Sequence, residues 1–234
     1  MNIIITGASK GIGFDTVKAF AQQPGNIVIA VSRNQKLLES LKSDCNLLSG
    51  DSQVFILPFD LESDLVHSEL FHRISELIPS VDILINNAGL MINKPFAEMT
   101  ELDFTRIFNV NVKSVFGLIQ ILLPLFNKQS HIVNISSMGG FQGSAKFQGL
   151  SLYSASKGAV AILSECLAEE FKEREIRVNC LALGSVQTEM LSEAFPGYKA
   201  PIIPSEMAEF IKDFALNGHR FFNGKVLPVS LTTP

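Results

Sequence analysis

The stretch YSASK, residues 153–157, sets a tyrosine four positions before a lysine in a segment with helical patterning. Residues four apart lie about one turn apart on the same helical face. Tyr153 is one of two tyrosines in the chain, which has no tryptophan. A free phenol has a pKa of about 10, and an ammonium group beside it favours the phenolate. Lowering that pKa by about three units takes roughly 4 kcal/mol of differential interaction, part of which a lysine one turn away supplies. Tyr153 therefore reads as a general acid/base and Lys157 as its electrostatic partner. The plain alternative is a surface pair on a helix.

Elements that would position such a pair follow from the pattern of the chain. Short β-branched runs recur: NIIIT, NIVIAVS, QVFILPF, VDILIN, HIVNIS and IRVNCLAL. They are apolar on both faces, as strands buried beneath helices on each side must be. Helical periodicity falls between them, over residues 12–23, 34–44, 62–78, 101–123 and 153–174. In the fourth, Ile107, Val110, Ser114, Val115, Leu118 and Ile121 follow three-and-four spacing, and TELD at its start is close to a capping box. Alternating strands and helices with short connections predict an α/β fold with a doubly wound parallel sheet and helices on both faces. No linker or internal repeat divides the chain, so residues 1–234 are expected to form a single domain. The stretch 184–205, GSVQTEMLSEAFPGYKAPIIPS, follows the sixth strand and breaks the rhythm; its length predicts a lid loop over a substrate.

Composition narrows the function. The 234 residues are 47% hydrophobic and 18% charged, which fits a protein with a sizeable core. A net charge of −4 and no basic run give no electrostatic reason to expect a nucleic acid or membrane surface as partner. The opening MNIIITG runs straight into a strand rather than a targeting segment, and VFGLIQILLPLF is too short to span a bilayer. Cys45, Cys166 and Cys180 lack metal-site spacing and the four histidines form no HExxH. No metal is expected. Reduced thiols fit a cytoplasmic location.

TGASKGIG, residues 6–13, follows the first strand and opens the first helix. A glycine-rich turn there lets backbone N–H groups approach a pyrophosphate at a helix N-terminus. The spacing Gly7, Gly11, Gly13 resembles that of the short-chain dehydrogenase/reductase family. YSASK matches the family's Tyr-x-x-x-Lys, and NNAG at 86–89 is a third family motif in the expected order. The resemblance covers residues 2 to about 190 and implies a Rossmann-like core, an oxidoreductase acting between a nicotinamide cofactor and a carbonyl or hydroxyl group, and a homodimer or homotetramer.

The resemblance also implies roles for individual residues. Gly7, Ser9, Lys10, Gly11, Ile12 and Gly13 would hold the dinucleotide. Asp60 would bind the adenine amino group, with a backbone contact from Leu61; the alternative for Asp60 is a helix cap. Asn87, Ala88 and Gly89 would line the adenosine ribose. After the second strand, where an NAD enzyme usually has a carboxylate, the chain reads Ser32-Arg33. Guanidinium suits a 2′-phosphate, and Lys10 adds a second charge, so NADP(H) is expected over NAD(H). Ketone reduction needs a proton as the hydride arrives, which Tyr153 would give, while Lys157 would also hold the nicotinamide ribose. Ser137 ends the fifth strand just before a small-residue turn, and its hydroxyl would hold the substrate oxygen. Asn111, in preference to Asn109, would hold a water that relays protons to the lysine.

Gly184, Val186 and Thr188 match positions near the nicotinamide, although Thr188 could equally cap the short helix EMLSEAF. The chain departs from the family pattern at Leu183, where a proline is usual, and in its C-terminus, where NGKVLPV resembles a closing strand but the acidic double-glycine ending is absent. Phe195 and Tyr198 in the lid would touch substrate or anchor the loop. Two other functions remain open at this stage: a non-redox lyase or epimerase on the same fold, and a dinucleotide-binding sensor without turnover. The set Asn111, Ser137, Tyr153 and Lys157 weighs against the sensor.

Overall fold

A computed structural model describes residues 1–48, 51–63 and 69–231. Seven strands, β1 (Asn2–Thr6), β2 (Ile27–Ser32), β3 (Gln53–Pro58), β4 (Val81–Asn86), β5 (Phe126–Ser137), β6 (Arg177–Leu183) and β7 (Val226–Val229), form one sheet. Its order is β3-β2-β1-β4-β5-β6-β7, and every pairing is parallel. Successive side chains on a strand face opposite ways, and both faces here are greasy. Ile4, Ile29 and Leu84 pack into one core layer; Ile3, Ile5, Val28, Ala30, Ile83 and Ile85 pack into the other. The expected doubly wound α/β sheet is what the chain forms.

Helices α1 (Gly11–Ala21), α2 (Gln35–Leu47) and α8 (Pro204–Asn217) cover the second layer through Val17, Phe20, Leu38, Leu41, Met207, Ile211 and Phe214. The first layer is covered by α3 (Glu69–Ser75), α5 (Ser114–Leu122) and α6 (Ser151–Glu170), and α4 (Glu101–Phe108) packs against α6. A short α7 (Glu189–Ala194) lies in the stretch after β6. Part of the helix expected over 62–78 falls at 64–68, outside the described residues. The expected capping box at the start of α4 is present, with Thr100 and Asp103 bonded reciprocally.

Two expectations change. The helix expected over 101–123 is not uniform: residues 109–113 form a π-helical turn in which the Ser114 N–H reaches back to the Asn109 carbonyl. Such turns are inserted mostly at functional sites. The same helical run, Glu101–Leu125, is also 25 residues long and apolar enough to cross a membrane by length and composition, longer than the segment read from sequence. Part of its apolarity is spent inside the protein, where Val115, Leu118, Ile119, Ile121 and Leu122 belong to the core beneath the sheet.

At the amino-terminal end of the sheet, His131 of β5 is buried with both ring nitrogens paired. Nδ1 donates to the Ala215 carbonyl at 2.9 Å, so Nε2 accepts from the Asn179 amide at 3.0 Å. Protonating Nε2 would set a donor against a donor. Burial drives the His131 pKa down to about 4, with His219 adding in the same direction. The unfolded chain takes up this proton near pH 6.5 and the folded protein only near 4, so stability is full above about 6.5 and falls as pH drops towards 4. The loss amounts to about 3 kcal/mol at most. Urea unfolding between these pH values is expected to show that slope, and His131→Gln to flatten it. A variant slope equal to that of the natural chain would refute the assignment.

Candidate active site

The strand order reverses between β1 and β4, and beyond the carboxyl ends of the strands on either side of that point lies a cavity of about 680 Å³. The turn after β1 forms one wall. Gly7 and Gly11 sit at φ +67° and +58°, which side chains disfavour. A Cβ on Gly13 would collide with the Gly7 carbonyl and the Asn87 amide. Gly13 is therefore a packing residue behind the cavity wall, which Gly7, Ser9, Lys10, Gly11 and Ile12 do line. Helix α1 begins here with no side-chain cap and no acidic residue in its first turn, so its leading N–H groups remain free for an anion.

Asn87 and Ala88 follow β4 and are tied to β1. The Thr6 hydroxyl accepts from the Asn87 and Ala88 N–H groups at 3.1 and 3.0 Å, and the Asn87 amide donates to the Thr6 carbonyl at 3.0 Å. Asn87 thus ties its amide to the strand junction and, with Ala88 and Gly89, lines the cavity. Thr6 is a site-building residue that the sequence reading passed over; its signal was its place at the head of the glycine turn. The Ser32 hydroxyl donates to Ser9 at 2.8 Å. Arg33 lies 3.5 Å from Glu62, and Lys10 lies 4.0 Å from Glu193. Asp60 accepts from the Glu62 N–H two residues on, in a turn rather than a helix start, and lines the cavity together with Leu61.

Tyr153, Lys157 and Ser137 line the far part of the same cavity. Tyr153 and Lys157 stand one turn apart on α6, with the Lys157 ammonium 5.9 Å from the phenol ring centre. Lys157 is buried and donates to the Ile135 carbonyl at 2.8 Å. Beneath it, the Ser136 hydroxyl donates to the Lys157 carbonyl at 2.7 Å, leaving Ser137 as the serine that faces Tyr153. The turn after β5 reaches α6 because Gly140 has no side chain: a Cβ there would come within 2.6 Å of the Lys157 carbonyl carbon. Ser137 also accepts from the Gly139 N–H at 3.2 Å, which fixes its rotamer.

The electrostatics differ from the sequence expectation. Burial raises the Tyr153 pKa above that of a free phenol, opposed only by the Ser137 hydroxyl. Burial also lowers Lys157 to about 8, with the nearby Cys180 thiol pulling weakly the other way. Removal of both groups from water outweighs their mutual attraction in the protein alone.

Asn111 lies behind the wall in the π-helical turn, fully buried. Its amide donates to the Leu90 carbonyl at 3.0 Å and the Ser156 hydroxyl at 2.9 Å, and its Oδ1 accepts from the Leu90 N–H at 2.7 Å. The side chain is therefore a clamp between the NNAG loop and α6, with its amide hydrogens spent on protein. Gly184 and Val186 line the cavity after β6. Thr188 lines it too, but its hydroxyl accepts from the Leu191 N–H and caps α7.

Comparison with known proteins agrees with this arrangement. The short chain dehydrogenase family model matches residues 1–199. The chain belongs to the short-chain dehydrogenase family. The FabG 3-oxoacyl-acyl-carrier-protein reductase of Thermotoga maritima is 30% identical over 97% of the chain and 94% of its own length. The NADPH carbonyl reductase 2 of Sus scrofa is 36% identical over 81% of the chain and 73% of its own length. A short chain dehydrogenase from Escherichia coli CFT073, solved with NADPH, superposes with a TM-score of 0.85 at 31% identity, covering 97% of the chain and 95% of that structure. This short-chain dehydrogenase is accordingly an oxidoreductase, and its family fold is the seven-stranded Rossmann-like sheet described above.

Proposed function

We propose that this short-chain dehydrogenase reduces the carbonyl group of a small molecule with NADPH. The observation that carries the reading is the meeting, in one cavity, of a glycine-turned helix N-terminus at one end and Ser137, Tyr153 and Lys157 at the other. The chain fits a dinucleotide: the α1 N–H groups take the pyrophosphate, Asp60 and Leu61 take the adenine, and Ala88 and Gly89 take the ribose. Gly184, Val186 and Thr188 line the nicotinamide end. NADPH supplies the hydride. Tyr153 gives a proton to the carbonyl oxygen, and Ser137 holds that oxygen as negative charge builds on it. Lys157 stabilises the phenolate that remains, and Asn111 positions the loop and helix that carry these groups.

Preference for NADPH over NADH rests on Ser9, Lys10, Ser32 and Arg33. Two hydroxyls and two cations line the cavity where β2 ends, and no carboxylate ends that strand. Guanidinium–phosphate bonds are charge-assisted but Arg33 is exposed, so Arg33→Ala is expected to raise the KM for NADPH about tenfold. The KM for NADH should stay within about twofold, because NADH has no group for that side chain to meet. Steady-state kinetics with both cofactors checks this; equal changes would remove the 2′-phosphate from the reading.

Residues 184–205 act as the lid over the substrate. Helix α7 is held at its end by Asn93, whose amide donates to the Ala194 carbonyl at 2.8 Å, while the other side of the carboxamide lies against Gly149. Asn93→Ala is expected to speed proteolytic cleavage within 184–205 several-fold and to raise the carbonyl KM without changing NADPH affinity. Unchanged cleavage would show that the lid is held elsewhere. The assembly proposed is a homodimer or homotetramer through α4, α5 and α6, on which Leu102, Phe104, Phe116 and Ile162 are exposed.

A further inference from the structure

Resting on that reading, we infer that the substrate is an uncharged, apolar carbonyl compound taken up free in solution, not one presented on an acyl carrier or coenzyme A. The part of the cavity beyond Tyr153 is walled by Met91, Met138, Phe147, Leu150, Met190 and Phe195. These come from four separate segments: the loop after β4, the turn after β5, the stretch before α6, and the lid. Three of the chain's six methionines meet there. Methionine is unbranched and polarisable and adapts to varied apolar shapes, so this wall suits several hydrophobic carbonyls rather than one rigid outline.

Charge points the same way. Among the described residues of the cavity wall, the cations are Lys10, Arg33 and Lys157, and each is engaged at the dinucleotide end or beside Tyr153. Near the substrate end Lys94 pairs with Asp103 at 2.9 Å and Lys146 with the Phe141 carbonyl at 2.6 Å, and Lys199 of the lid does not line the cavity. Glu189 and Glu193 of α7 lie against the glycine turn, at Gly11 and Lys10, so neither faces the substrate end. A carboxylate or phosphate on the substrate would leave water for methionine and phenylalanine, with no cation of that wall to meet it. The polar groups offered are the Ser137 and Tyr153 hydroxyls, which suit one carbonyl oxygen, and the Ser185–Tyr198 hydroxyl pair, already bonded to each other at 3.0 Å. The reaction balances as hydride from NADPH to the carbonyl carbon and a proton from Tyr153, replaced from water, to the oxygen. Its products are the alcohol and NADP⁺.

Three compounds with one shared reacting ketone test this: a straight-chain 3-oxo ethyl ester, its free carboxylate and its coenzyme A thioester. With NADPH, kcat/KM for the ester is expected to exceed the other two by about tenfold or more. Met190→Lys, which plants a cation in the wall, is expected to narrow the gap between ester and carboxylate. A carboxylate or thioester equal to or better than the ester would overturn the inference, as would an unchanged gap in the variant. Thermal denaturation of the NADP⁺-saturated protein with each compound reads the pocket without turnover. If none of the three is reduced, the proposed chemistry fails; a rise in Tm confined to the ester would still uphold the substrate class. A rise with the charged forms, or with none, would overturn it.

Discussion

Tyr153→Phe is expected to lower kcat for carbonyl reduction by about 10³-fold, within the 10²–10⁴ range of a positioned general acid, and to leave NADPH affinity within about twofold. The structure makes this a clean deletion. Tyr153 is anchored through its carbonyl, which accepts from Ser156, and through its ring, which lies beneath the Lys157 ammonium; phenylalanine keeps both. Ser137 loses one neighbour but keeps the Gly139 N–H. Burial holds the phenol above its ordinary pKa, so at neutral pH it carries the proton that reduction consumes. The variant lacks only that proton. Fluorescence titration with NADPH and single-turnover reduction separate the two readouts. Binding that falls in step with turnover would make Tyr153 a cofactor residue, and turnover within about tenfold of the natural chain would remove it as the acid.

Much of this site is legible in the sequence. Tyr153 and Lys157 share a helical face by spacing alone. The apolar strands betray a sheet covered on both sides, which places ligands beyond their carboxyl ends. What sequence hid was of three kinds. Helix α8 follows a proline-rich stretch and has no counterpart among the helices expected from sequence; yet Pro204 stands in its first turn, where proline is favoured, and Met207, Ala208, Ile211, Phe214 and Ala215 repeat at helical spacing behind it. The π-helical turn at 109–113 leaves no trace in hydrophobic periodicity, because it displaces hydrogen bonds rather than side-chain character. Residue type also does not say where a polar side chain spends its bonds. Asn87, Thr188 and Asn111 were named as cofactor or proton-relay residues, and each turns its polar group on the protein itself. Asn87 and Thr188 still line the cavity, while Asn111 shapes it from behind. The sign of the Tyr153 shift was missed for a related reason, since spacing reports which charge is near and not how much water has been removed.

Lys157→Met is expected to lower carbonyl reduction by about 10²–10³-fold below about pH 8, the loss typical of removing one fixed charge-stabilising donor, and by less as pH rises above it. The more telling result lies in the pH profile. Lys157 is buried, and burial brings its pKa down from 10.5 to about 8. A lowered lysine is cationic below that value and neutral above it. If the cation supports the phenolate as the proton leaves Tyr153, kcat/KM for NADPH, which reports the free enzyme, must fall as pH rises through about 8, by about tenfold per unit. Tyr153 does not produce this limb, because its own pKa is raised, so it keeps its proton through that range. Lys157→Arg supplies the control: guanidinium stays charged throughout, so the limb should vanish while part of the rate survives. The methionine variant should show neither the limb nor the rate. A limb near pH 8 that persists in both variants would assign that titration to another group, and would separate the lysine's charge from the proton step that Tyr153 performs.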